Sequence, residues 1–180
     1  MKKHKIVSLL LVSSILASVT SSVNADNEVT DIKKYILLDM TQNSGIDGYD
    51  TNNDGCINVF DVSEEKCAAM KNMGANVMTS ADEIAKNSSI VVLAVKPQNY
   101  PEVLESLKNS ITTAKTVVSI AAGISIAYVR KGLECDCPVV RVMPNTPLLL
   151  KKGATALCPS ENISDDDKTI VYNMFAGSGV

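Results

Sequence analysis

Asp50, Asn52, Asp54, Cys56, Asn58 and Asp61 stand at positions 1, 3, 5, 7, 9 and 12 of a twelve-residue run, with Gly55 at position 6. A calcium ion needs several hard oxygens wrapped around it by a sharp turn. Carboxylates and amides at those places, with the backbone carbonyl of Cys56 at the seventh, would supply them. The competing reading is a plain Asn/Asp/Gly turn that holds no metal. Asp61 also ends a second pattern, because Ile57–Phe60 reads as a short strand followed by an acid and then a helix.

Three further segments gain meaning as a set. They are Ala94-Val95-Lys96-Pro97-Gln98, Ser119-Ile120-Ala121-Ala122-Gly123-Ile124 and Arg141-Val142-Met143-Pro144-Asn145-Thr146-Pro147. The first directly follows a buried strand, at the strand end where open parallel sheets receive dinucleotides. Lys96 could meet a phosphate or hydroxyl, and Pro97 fixes the turn. In the second, small residues allow the backbone to approach a flat ring closely. The third sets the amide of Asn145 between two prolines.

The elements that must hold these segments alternate. A helix is expected over 28–40, from the helical spacing of Val29, Ile32, Ile36 and Met40. After the Gly/Asn-rich connector and the calcium-like loop come a strand at 57–60, a helix from Ser63 to Met73 and a brief strand at 76–78. Ser80-Ala81-Asp82-Glu83 reads as a capping box that opens a short helix. The run 89–95 is continuously apolar, which marks a parallel strand buried on both faces. A helix follows at about 100–108, then a strand at 116–120, a helix from Ser125 to Leu133, strands at 138–142 and 154–158, and a helix from Ser164 to Phe175. This is an α/β pattern, expected to form a Rossmann-like, doubly wound parallel sheet.

Composition narrows the classes. The 180 residues are 46% apolar, enough for a core, and the net charge is −3. With a pI near 5.2, nothing predicts nucleic-acid binding. Met1-Lys2-Lys3-His4-Lys5, the apolar stretch to Val19 and Val23-Asn24-Ala25 have the form of a secretory signal peptide over 1–25. That stretch is too short and Ser-rich for a stable membrane span. The single histidine, His4, lies inside it, so histidine-based triads and zinc sites are not expected in the rest. The five cysteines fit neither a zinc spacing nor a disulfide framework, and Cys135-Asp136-Cys137 is at most a weak metal chelate.

The stretch Val29–Asp61 resembles a dockerin, a module that docks secreted polysaccharide-degrading enzymes onto cohesins. The resemblance covers one calcium loop (Asp50, Asn52, Asp54, Cys56, Asn58, Asp61) where the family has two. It implies secretion, calcium binding and a cohesin as a possible partner. Glu64-Glu65-Lys66-Cys67 departs from the more basic helix that the family presents.

From Val59 to Gly179 the chain resembles pyrroline-5-carboxylate reductase, a cytoplasmic family, and Arg-Val-Met-Pro-Asn-Thr-Pro is the most specific of its motifs. The resemblance implies NAD(P)H-dependent reduction of a cyclic imine acid to proline. It implies that Ala94, Val95, Lys96, Pro97, Ile120, Ala121 and Ala122 line NADP, with Asn145 near the nicotinamide. It assigns no side chain as a catalytic acid or base. The departures are also definite. No Gly-rich phosphate loop precedes Val59, Ala81 stands where the family often has Asn, and the helical domain for dimerisation and substrate is not expected. The sequence therefore reads as a signal peptide (1–25), a partial dockerin-like segment (26–61) and a truncated reductase-like unit (57–180). The two latter parts join where both read Val-Phe-Asp. An incomplete sheet lacking its first strand, and an inactive fragment, are the expectations.

Overall fold

The computed structural model of the protein describes residues 37–39, 58–72, 75–145 and 154–176. The expected signal peptide, and Asp50, Asn52, Asp54 and Cys56 of the calcium-like loop, lie outside these residues.

The strands are β1 (Leu37–Asp39), β2 (Asn58–Phe60), β3 (Asn76–Val77), β4 (Ile90–Leu93), β5 (Thr116–Ser119), β6 (Val139–Pro144) and β7 (Thr155–Pro159). The helices are α1 (Glu64–Asn72), α2 (Ala81–Asn87), α3 (Tyr100–Leu107), α4 (Ile126–Leu133) and α5 (Asp165–Ala176), with a 3-10 turn at Pro97–Asn99 ahead of α3. One sheet runs β3-β2-β1-β4-β5-β6-β7.

Every residue of β4 is buried, as its unbroken apolar run predicts. Its side chains alternate between two cores. Ile90 and Val92 face Val118, Val140, Met70, Val171 and Phe175, which brings α1 and α5 onto one side. Val91 and Leu93 face Val117, Ile84, Leu104 and Val129, which brings α2, α3 and α4 onto the other. In α3 the buried residues Tyr100, Val103, Leu104 and Leu107 recur at helical spacing. α2 starts on the predicted cap: Ser80 Oγ accepts from the Glu83 amide at 3.1 Å. The Glu83 carboxylate reaches back to the amide of Thr79 rather than Ser80, at 2.8 Å.

Two expectations need correction. Residues 37–39 are a strand, not the end of a helix, and this strand occupies the central place expected to be missing. β1 pairs with β2 on one side (Leu38 opposite Val59) and with β4 on the other (Leu38 opposite Val92), antiparallel to both. The physical reason is non-local. Strands β2 and β4 would each leave a row of backbone amides and carbonyls unmatched at the gap, and a paired strand satisfies both rows. This outweighs the helical spacing of Val29, Ile32, Ile36 and Met40.

The sheet is also not wholly parallel. β2–β3, β4–β5 and β5–β6 are parallel pairs, whereas β7 runs antiparallel to β6 from Pro144–Thr155 to Val140–Pro159. Only residues 145–154 separate these strands, too few for a crossover, so the chain returns as a hairpin.

Candidate functional site

The three sequence segments converge at the carboxyl edge of the sheet. Ala94–Pro97 leaves β4, Ile120–Ala122 leaves β5 and Asn145 leaves β6, and these three strands are hydrogen-bonded neighbours. Along the first segment Ala94 and Val95 are buried, Lys96 is half-buried and Pro97 is exposed. Along the second, Ile120 and Ala121 are buried, whereas Ala122 and Gly123 are exposed. Gly123 has φ +78°, a left-handed conformation that L side chains rarely adopt, and open space around its missing Cβ. The rim is therefore made largely of backbone and small side chains, which suits a flat ring lying against it.

Asn145 closes the β6–β7 hairpin: its backbone amide donates to the Ala154 carbonyl at 3.2 Å, and its side-chain carbonyl accepts from the Ala154 amide at 2.9 Å. The third motif thus braces its own loop at the edge.

Sequence reasoning gave no role to the hydroxyls of Tyr100, which lies buried behind the first segment, and of Ser119, which opens the second. The Tyr100 hydroxyl is 2.7 Å from Ser119 Oγ and donates to the Leu93 carbonyl at 3.2 Å. The Ala121 amide bonds the same hydroxyl, and burial raises its pKa far above the ordinary tyrosine value, so it stays neutral. The available signal was the position of Tyr100 on the apolar face of α3, a polar atom forced into a core.

Asn58 and Asp61 are the only described residues of the calcium-like set. Asn58 is buried in β2. Asp61 is buried just after it, its Oδ1 accepting from the Ser63 amide at 2.8 Å and its Oδ2 lying 3.4 Å from Lys66 Nζ. Burial raises its pKa, while the Ser63 amide and the Lys66 ammonium act the other way. Asp61 thereby holds the Ser63 amide just ahead of α1. Among the described residues no group of three or more His, Cys, Asp or Glu side chains could hold a metal. None of the described helices is long and apolar enough to cross a membrane.

The seat for a diphosphate differs from the doubly wound pattern. There, a Gly-rich turn leaves the central strand at its carboxyl edge and delivers the phosphates to a helix N-terminus. Here Leu37 stands at that edge, opposite Phe60 and Leu93, and β1 ends at Asp39 on the other side. Both ends of the connection to β2, Asp39 and Asn58, lie on the amino edge. A cavity of about 440 Å³ between β6–β7 and α5, lined by Val140, Leu157, Pro159 and Tyr172, also lies away from the site, since Val140 and Pro159 pair at the amino end of β6.

Much of the chain is similar to known proteins. A family described as NADP oxidoreductase, coenzyme F420-dependent, matches residues 50–123. Pyrroline-5-carboxylate reductase of Escherichia coli (strain K12) is 36% identical over 122 residues, which is 67% of this chain and 45% of that protein. The solved structure of pyrroline-5-carboxylate reductase from Coxiella burnetii superposes with a TM-score of 0.64 at 32% identity, covering 68% of this chain and 46% of that one. Over about two thirds of its residues, the chain is similar to pyrroline-5-carboxylate reductases. A Plasmodium falciparum pyrroline carboxylate reductase solved with NADP bound is 31% identical with a TM-score of 0.58, covering 67% of this chain and 44% of that one. The chain spans less than half the length of these reductases.

Proposed function

We propose that this chain carries the coenzyme half of a pyrroline-5-carboxylate reductase, an NAD(P)H-dependent enzyme that reduces 1-pyrroline-5-carboxylate to L-proline. The observation that supports this reading is the convergence of Ala94–Pro97, Ile120–Ala122 and Asn145 at neighbouring strand ends. Lys96 and the small-residue rim would hold and orient the nicotinamide end of NADP, which supplies the hydride when bound. Catalysis of this kind rests on placing two reactants in line rather than on a protein acid.

The same reading assigns the chain no turnover by itself. The direction of β1 supports that part, because among the described residues the central strand begins, rather than ends, at the carboxyl edge where the diphosphate turn would leave it.

The test is a titration of NADPH fluorescence at micromolar protein, run beside a proline-formation assay with the imine acid. Weak, unsaturated binding and no proline are expected. Saturable micromolar uptake or measurable proline would refute the second part. Absence of any nicotinamide binding at millimolar concentration would refute the first.

A further inference from the structure

The ladder between β4 and β5 weakens at the site. Its last rung, from the Ile120 amide to the Leu93 carbonyl, is stretched to 3.5 Å. At that point the Tyr100 hydroxyl, fully buried, meets the same carbonyl and Ser119 Oγ. Tyr100 follows Pro97 by one 3-10 turn, closed by the Asn99 amide donating to the Lys96 carbonyl at 2.9 Å. One side chain therefore ties the end of β4, the end of β5 and the start of α3 together.

We propose that Tyr100 is a positioning residue that fixes Ala94–Pro97 relative to Ile120–Ala122, and so sets the width of the nicotinamide rim. It touches no ligand itself. The consequence for ligand binding rests on the coenzyme-half reading, whereas the alignment of the two segments does not. Phenylalanine at this position would keep the ring in the core and leave the Leu93 carbonyl and Ser119 hydroxyl one partner short.

The experiment compares the full chain with Tyr100→Phe by amide hydrogen exchange and by titration with reduced nicotinamide mononucleotide, using Leu107→Val as a control. Leu107 is fully buried at the far end of α3, so its variant loosens the core without touching the rim. In Tyr100→Phe the Ile120 and Ala121 amides should exchange about tenfold faster relative to Val117 and Val118, because a local opening replaces a global one. Nicotinamide affinity should fall about fivefold, and Leu107→Val should do neither. Unchanged exchange at Ile120 and Ala121 would overturn the proposal. So would faster exchange with unchanged affinity, which would make the hydroxyl merely structural. If the unaltered chain takes up no nicotinamide mononucleotide at all, the functional reading falls, and the exchange result alone decides whether Tyr100 holds the segments.

Discussion

Asp61 Oδ2 lies 3.4 Å from Lys66 Nζ, a carboxylate that is 1% exposed beside an ammonium that is 30% exposed. The pair sits at Asp61, the residue that the calcium-like pattern and the reductase-like pattern share. Asp61 Oδ1 accepts from the Ser63 amide, Ser63 Oγ accepts in turn from the Lys66 amide at the start of α1, and Lys66, in the first turn of the helix, is the counter-ion of Asp61.

Removing the two partners should have unequal effects. Lys66→Met leaves a buried carboxylate without its counter-ion, and a loss of about 1–2 kcal/mol at pH 7 is expected, less than for a fully buried pair because Lys66 is partly hydrated. Burial holds the folded pKa of Asp61 above its ordinary value, so the folded state binds its proton more tightly. Stability from this group therefore falls as pH rises through the raised pKa. The Lys66→Met penalty should shrink on acidification below that pKa, and Asp61→Asn should remove this part of the pH dependence. Urea melts of both variants at pH 4 and pH 7 would check this, and a pH-independent Lys66→Met loss would count against it.

Gly132→Ala should destabilise the contact between α3 and α4. A Cβ there would meet Leu104 Cδ1 at 2.5 Å and Leu104 Cβ at 3.1 Å. Overpacking of this kind costs about 1–3 kcal/mol, against a gain of roughly 1 kcal/mol in helix propensity. The net loss should diminish in a Leu104→Ala background, which a double-mutant cycle by thermal melting would reveal.

At Gly123 the cost has another origin. An alanine would meet no neighbour but would have to hold φ +78°, for a loss of about 1 kcal/mol. Since Gly123 is exposed on the rim, Gly123→Ala should also weaken nicotinamide binding by more than its stability loss explains. Equal binding by the variant would detach this glycine from the site.

Among the described residues, the thiols should react in order of access. Cys158 is exposed, Cys67 and Cys135 are half-buried, and Cys137 is buried. Desolvation, with Cys135 close by, pushes the Cys137 thiol up to about 12, so almost none of it is thiolate at neutral pH. Maleimide labelling at pH 8 followed by peptide mass spectrometry should modify Cys158 first and Cys137 only after unfolding.

Much of the sheet was legible because its signals are local. The apolar run at β4, the Ser80–Glu83 cap and the Pro97 turn each declare themselves within a few residues, and the structure places them within a residue or two of expectation. β1 was not legible. Leu37-Leu38-Asp39 sits inside a helical spacing, and only Val59 and Val92, distant in sequence, make it a strand. Tyr100 was hidden for a similar reason. Its spacing on α3 announces burial, but the partners of its hydroxyl come from two strand ends that only the fold brings together.

The adenosine diphosphate half of the coenzyme would need a seat at the carboxyl end of the central strand. The most direct measurement is the ratio of affinities for NADPH and reduced nicotinamide mononucleotide, titrated side by side. With β1 entering at Leu37 where the phosphate turn would leave, the two should bind within about threefold of each other, a difference under 1 kcal/mol. A hundredfold advantage for NADPH, about 2.7 kcal/mol, would contradict it.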